Sequence, residues 1–131
     1  MRQIKFRIWD ELNQKMVFQS SSIKISFFNT LRGLPLADGL PVAECTDDKD
    51  FYLYDNMVVM QFTGLLDANG KEIYEGDILY SEIIKWHYVV EWLFGGHFLR
   101  SIEEPEYPKT MMIGIDELEV LGNIYENPEL V

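Results

Sequence analysis

Between residues 84 and 94 the chain alternates. Ile84, Trp86, Tyr88, Val90, Trp92 and Phe94 take one parity, and Lys85, His87, Val89, Glu91 and Leu93 take the other. Neighbouring side chains of a β-strand point to opposite faces, so six large apolar groups at period two demand a sheet. The run predicts one long strand, or two strands meeting at a bend, with its even-numbered face in the core. Gly95-Gly96 is predicted to reverse the chain and HFLRSI to return as the antiparallel partner, with position 97 near 94.

The same period recurs along most of the sequence, and helical periodicity is scarce. Ile4, Phe6 and Ile8 are expected to face inward and Lys5 and Arg7 outward, and Met16 and Phe18 resume the alternation after the polar Asp10–Gln14 stretch. Residues 3–18 therefore read as a β-hairpin. Ile23, Ile25 and Phe27 alternate again. Residues 29–50, broken by Gly33, Pro35, Gly39 and Pro41, read as a long irregular connection with room for one short element. FYLYD and MVVMQFTG read as strands with a turn at Asp55-Asn56, and MMIGI and LEVLGNIY as two more. Gly114 and Gly122, beside β-branched or large apolar residues, read as bulges or close backbone contacts. Asn127-Pro128-Glu129 carries the signature of a helix start.

The rhythm GDIL, VVEW, GGHF and a final strand predicts an SH3-like barrel over roughly residues 57–127. The expected fold is mainly β with little helix: an N-terminal β region, residues 1–56, packed on a barrel region, residues 57–131, as one compact unit.

With 131 residues the chain can bury a core without a disulfide or metal, and its single cysteine, Cys45, permits no internal disulfide. Cys45 reads as a buried or half-buried thiol. The opening MRQIKFRIWDEL has no apolar core of signal-peptide type, and no apolar run approaches transmembrane length, so a cytoplasmic location is expected. Formal net charge is −11, an unfavourable start for binding a polyanion. The charge is uneven: residues 1–24 hold five basic and two acidic residues, net +3, and the rest is net −14. That basic first segment reads as a strand with a basic solvent face, or as a segment that docks on the chain's own acidic body or on a neighbouring copy.

The stretch LLDANGKEIYEGDIL, residues 65–79, places Asp67, Asn69, Glu72, Glu75 and Asp77 within eleven positions. It does not fit a calcium loop. Counted from Asp67, the fifth position is Lys71, the sixth Glu72 and the twelfth Ile78, where an EF-hand needs an oxygen ligand, glycine and glutamate. Asn69-Gly70 and Gly76-Asp77 read instead as two tight turns, with Asp67 bonding the backbone just ahead. His87, His97 and Cys45 do not form a zinc pattern. Glu103, Glu104 and Glu106 read as a solvated loop. Nucleophile-elbow, phosphate-loop and metalloprotease motifs are missing from the sequence. No catalytic, cofactor or metal residue is assigned, and none is expected.

Four blocks resemble the YopX family: MRQIKFRIWDELNQKMVF, QFTGLLDANGKEIYEGDIL, VVEW with GGHF, and LGNIYENPEL, in that order and together spanning nearly the whole chain. The resemblance implies a β-rich fold with an SH3-like barrel in the C-terminal half and an origin in a bacteriophage or prophage. It brings no catalytic residues. The functional expectation is a non-enzymatic accessory protein of the bacterial cytoplasm that binds a phage or host protein, or its own copies, without a cofactor or membrane. One version is a DNA mimic occupying a basic host protein. The alternative is a nucleic-acid-binding module, in which Arg2, Lys5 and Arg7 meet phosphate and exposed tyrosines, among Tyr52, Tyr54, Tyr74 and Tyr80, stack on bases. An enzyme with a site in the 29–50 loop is the third reading.

Overall fold

The computed structural model describes residues 4–11, 13–19, 23–31, 34–45, 51–53, 58–93, 95–111 and 117–131, and for 23–31, 34–45, 51–53 and 111 the backbone alone. The fold is mainly β. The chain divides into two compact units, one of Lys5–Met60 and one of Gln61–Val131 with Ile4.

In the first unit, β1 (Phe6–Asp10) and β2 (Lys15–Phe18) form the expected hairpin, with Ile8 opposite Val17 and Asp10 opposite Lys15. Asp10 closes its turn by accepting the Asn13 backbone N–H at 3.1 Å and the Asn13 amide at 2.8 Å. The inward and outward assignment needs correcting. Ile4 is exposed and Arg7 is only 4 % exposed. The Arg7 guanidinium carbon lies 5.9 Å from the centroid of the Phe18 ring, across the hairpin. A long aliphatic stem and a π face can accommodate an arginine in a buried strand position, which alternation does not anticipate.

Within 29–50, residues 29–31 and 34–45 are strand rather than irregular connection. β3 (Ile23–Leu31) and β4 (Leu34–Cys45) pair antiparallel from Ile23–Cys45 to Leu31–Leu34, with a register shift between Phe28 and Thr30. β5 (Phe51–Leu53) pairs with Val42, Ala43 and Glu44 of β4. Pro35 and Pro41 lie outside those three residues, so neither has to donate an N–H to β5.

The second unit holds most of β6 (Val58–Leu66), which pairs with β7 (Glu72–Tyr74), and a five-stranded sheet. The sheet's strands are β8 (Asp77–Ser81), β9 (His87–Leu93), β10 (Gly96–Ser101), β11 (Thr110–Met111) and β12 (Leu118–Asn123). Four strands follow one another as a meander and the fifth returns beside the first, in the order β11-β10-β9-β8-β12. Among the described residues the hydrogen-bonded order runs from β11 to β12. One core lies on one face of this sheet, where Leu79, Tyr88, Val90, Leu99, Leu118 and Val120 pack with Ile73 of β7.

The alternating run behaves as predicted from Trp86, which packs against the core, to Val90. Tyr88 and Val90 are in the core, but Val89 on the opposite parity is buried too, and Trp92 is 49 % exposed. Residues 84–86 lie in the connection before β9. Lys85 takes a positive φ of 68°, and its N–H bonds Ser81 C=O at 2.8 Å, which bends the chain there. The following reversal closes one residue earlier than expected: Leu93 pairs with Gly96, Gly95 takes φ +77°, and His97 pairs with Trp92. After β12 the chain ends in a single 3₁₀ turn, Pro128–Leu130, where a helix start is expected.

Candidate interaction surface

The turn-rich stretch between β6 and β8 is where the clearest sequence motif lies, and two of its acids, Asp67 and Asp77, are buried. Asp67 is buried. Its Oδ1 accepts the N–H of Asn69 and of Lys71, both at 2.8 Å, and its Oδ2 accepts the N–H of Val120 at 2.9 Å. Burial alone would raise this carboxyl. The bonds from Val120, Lys71 and Asn69, with the Lys71 ammonium, more than offset burial and hold it below the ordinary carboxylate range. Gly70 has φ +81°, but Asn69 is not left-handed, so the turn is not the two-residue type with both central angles positive. Gly76, at φ +85°, lets the chain leave β7 for the five-stranded sheet, and buried Asp77 accepts the Tyr74 N–H at 2.8 Å. Asn69, Gly70 and Gly76 thus lie in turns, and the Asp67 and Asp77 carboxylates are buried against backbone N–H groups.

Asp67 also changes the prospects for strand pairing between copies. Ala68 N–H bonds Leu118 C=O at 2.9 Å, beside the Val120 bond to Asp67. The side of β12 that points away from β8 is thus occupied at Leu118 and Val120, which blunts it as a template for another strand.

Of the surface residues expected from sequence, Arg2 lies outside the described residues and Lys5 is half-buried. Tyr74 is 2 % exposed, its ring 5.6 Å from that of Phe62, so it cannot stack on a base. Tyr80 is half-buried and its ring sits 4.7 Å from that of His87, its cross-strand neighbour. The side chains of Tyr52, Tyr54 and Cys45 lie outside the described residues.

A different surface is assembled by two connections at the Ser81 end of β8. In the first, residues 82–86, the buried Ser81 hydroxyl donates to the Glu117 carboxylate at 3.0 Å and accepts the Ile84 N–H at 3.1 Å. That anchor leaves Ile83 76 % exposed and Ile84 also exposed. In the second, residues 102–109, Glu104 N–H bonds the Ser101 hydroxyl and Tyr107 N–H bonds Glu104 C=O. Tyr107 is 56 % exposed. The connections meet where the Trp86 ring stands edge-on to Tyr107, centroids 5.3 Å apart, and where His87 Nδ1 pairs with the Glu103 carboxylate. Trp86 also packs on the core.

The electrostatics of this surface are acidic. Lys85 pairs with Glu82 at 2.9 Å, and Arg100 and Lys109 pair with Glu91 at 3.0 and 2.7 Å. Burial, then the nearby carboxylates of Glu117 and Glu103, push the Tyr88 phenol above its usual range. The sequence carried one clue to the site. Tyr107 lies between Pro105 and Pro108, which resist incorporation in a central strand, so an aromatic there belongs to a surface loop. Ile84 read as the start of the long strand, and nothing in the sequence singled out Ile83.

Over residues 5–131 the sequence matches the family described as YopX protein. The chain belongs to the YopX family. Two solved structures are similar to it. One is the crystal structure of protein EF1440 from Enterococcus faecalis, 25% identical, with a TM-score of 0.66 and 99% of each chain covered. The other is the X-ray structure of protein yopX from Bacillus subtilis, 18% identical, with a TM-score of 0.65, covering 99% of this chain and 96% of that one. The likeness to the second is one of fold. No curated protein matches. Among the described residues of this YopX-family chain, no three His, Cys, Asp or Glu side chains gather as metal ligands, and no helix is long and apolar enough to cross a membrane.

Proposed function

We propose that the chain is a non-enzymatic, protein-binding accessory module of a bacteriophage or prophage, acting in the bacterial cytoplasm. The observation that carries this reading is the exposure of Ile83 and Ile84 beside Trp86 and Tyr107 on two anchored connections. Aromatic and large aliphatic groups held rigidly in water are typical of the centre of an interface, where burying them against a partner releases free energy at little ordering cost. Side-chain docking is favoured over strand addition along β12, whose outer side is occupied at Leu118 and Val120. A nucleic-acid reading loses support from the burial of Arg7 and Tyr74 and from the net charge of −11.

The test is affinity capture of a partner from bacterial extract by the wild-type chain and by Ile83→Ser, followed by reconstitution of the pair from purified components. Light scattering of the chain alone runs in parallel. A purified pair that forms with wild type and fails with Ile83→Ser, or a dimer lost in the same variant, supports the proposal. A strictly monomeric chain that recovers no reconstitutable partner overturns it.

A further inference from the structure

We infer that the surface of Ile83, Ile84, Trp86, Tyr107, Glu104 and Glu106 recognises a basic segment of a protein, a stretch carrying arginine or lysine beside an apolar residue. The inference rests on the protein-binding reading above and names the chemistry of the partner. It begins from a local charge balance. The basic groups near the surface already have acidic partners: Lys85 pairs with Glu82, Lys109 and Arg100 share the Glu91 carboxylate, and the His87 ring meets Glu103. Glu104 and Glu106 are exposed and, among the described residues, make no ion pair. Arg100 and Lys109 leave one positive charge over Glu91, and Glu104, Glu106 and the Ser81-bonded Glu117 outweigh it, so the surplus charge of the patch is negative and flanks an exposed aromatic ring.

Position matters as much as sign. The Glu104-Pro105-Glu106-Tyr107 segment is held as a turn by the Tyr107 N–H to Glu104 C=O bond at 2.9 Å, and the Tyr107 ring is braced by Trp86. A cation arriving over Tyr107 gains attraction from the ring face and from the carboxylates together. Arginine fits best, because a planar guanidinium can stack on the ring while bonding a carboxylate in its own plane. Ile83 and Ile84 then offer a dry contact for an adjacent apolar side chain. The same charge repels phosphate, so neither nucleic acid nor an anionic lipid surface suits the patch.

The probe is a short fluorescent peptide alternating arginine with leucine, compared with peptides in which glutamine or glutamate replaces arginine. Each is titrated by anisotropy against the intact chain. Binding of the arginine peptide should weaken with added salt, and Glu104→Gln/Glu106→Gln should lower its affinity about tenfold. Tyr107→Ser should lower it comparably. The control pair Glu126→Gln/Glu129→Gln removes the same charge at the Asp77 end of β8 and should change affinity by less than about twofold. Circular dichroism verifies that each variant is folded. Equal affinity for the glutamine peptide, equal losses in both double variants, binding of a single-stranded oligonucleotide at this surface, or no peptide binding would each overturn the inference. If a partner is still captured from extract in those cases, the protein-binding reading stands without the basic chemistry. If capture fails as well, both fall.

Discussion

Asp67 Oδ2 accepts the backbone N–H of Val120 at 2.9 Å across a sequence separation of 53 residues. One buried carboxylate thereby closes its own turn through Asn69 and Lys71 and fastens the last strand of the sheet. A carboxylate offers two oxygens to three donors, and no uncharged side chain of similar size does so. Asp67→Asn keeps one acceptor and turns an amide donor toward either the Val120 N–H or the turn. The expected loss is about 2–4 kcal/mol of folding stability, from a charge-assisted bond removed and a buried donor left unmatched. Urea denaturation at neutral pH measures it, and a loss under about 1 kcal/mol would mean that the knot is not structural.

The same carboxylate sets a pH dependence. Its folded-state value lies below the ordinary one, so the native state binds fewer protons than the unfolded chain near the unfolded value of about 4. The stabilisation is present above that pH and is lost as pH falls through the folded value. Glu91 acts in the same direction: burial would raise it, but bonds from Lys109 and Arg100 leave it lowered. Wild-type stability should therefore decline below about pH 4, and the gap between wild type and Asp67→Asn should be widest at neutral pH and narrow in acid. Thermal melts of both proteins across that range check the sign; a gap that widens in acid would contradict it.

These two residues also show what the sequence could disclose. Period-two alternation was sufficient for the β class, for the first hairpin and for the β9–β10 pairing, because one buried face leaves that imprint directly. It failed at Arg7 and Val89, where both faces of a strand are covered and parity no longer separates inside from outside. Pro35 and Pro41 hid β4, since a strand with only part of one side paired can hold prolines that a central strand cannot. The turn at Asp67–Lys71 was legible from Asn69-Gly70, but its bond to Val120 depends on tertiary placement. The candidate surface was the least legible part. Exposure of Ile83 and Ile84 follows from Ser81 and the left-handed Lys85, and neither is visible in a hydropathy pattern.

Ser81 offers a way to loosen that surface without touching it. Its hydroxyl is fully buried between the Ile84 N–H and the Glu117 carboxylate. Ser81→Ala removes both bonds, takes a donor from the half-buried Glu117 carboxylate, and should cost about 1–3 kcal/mol. Local opening of residues 82–86 should accompany it, read as faster hydrogen exchange at Ile84 than at Val90 of the sheet core. Uniform acceleration at both positions would instead indicate global destabilisation with no local anchor.

Gly122 and Asn127 supply the last test, and here a single variant is not enough. β12 shifts register between Val120 and Gly122, and the chain then folds back so that Asn127 Oδ1 accepts the Asn123 N–H at 3.2 Å. A Cβ on Gly122 would stand 2.1 Å from that oxygen and 2.7 Å from the amide carbon behind it. Gly122 has no left-handed backbone angle, so the requirement for glycine is one of space. Gly122→Ala must swing the Asn127 side chain away and break its bond, at an expected cost of about 1–2 kcal/mol. Asn127→Ala alone loses the same bond without a clash and should cost about 1 kcal/mol. In the double variant the alanine at 122 has no amide to displace, so the two losses should fall short of adding by about 1 kcal/mol. Denaturation of all four proteins closes the cycle, and strict additivity would show that the two side chains do not compete for the same space.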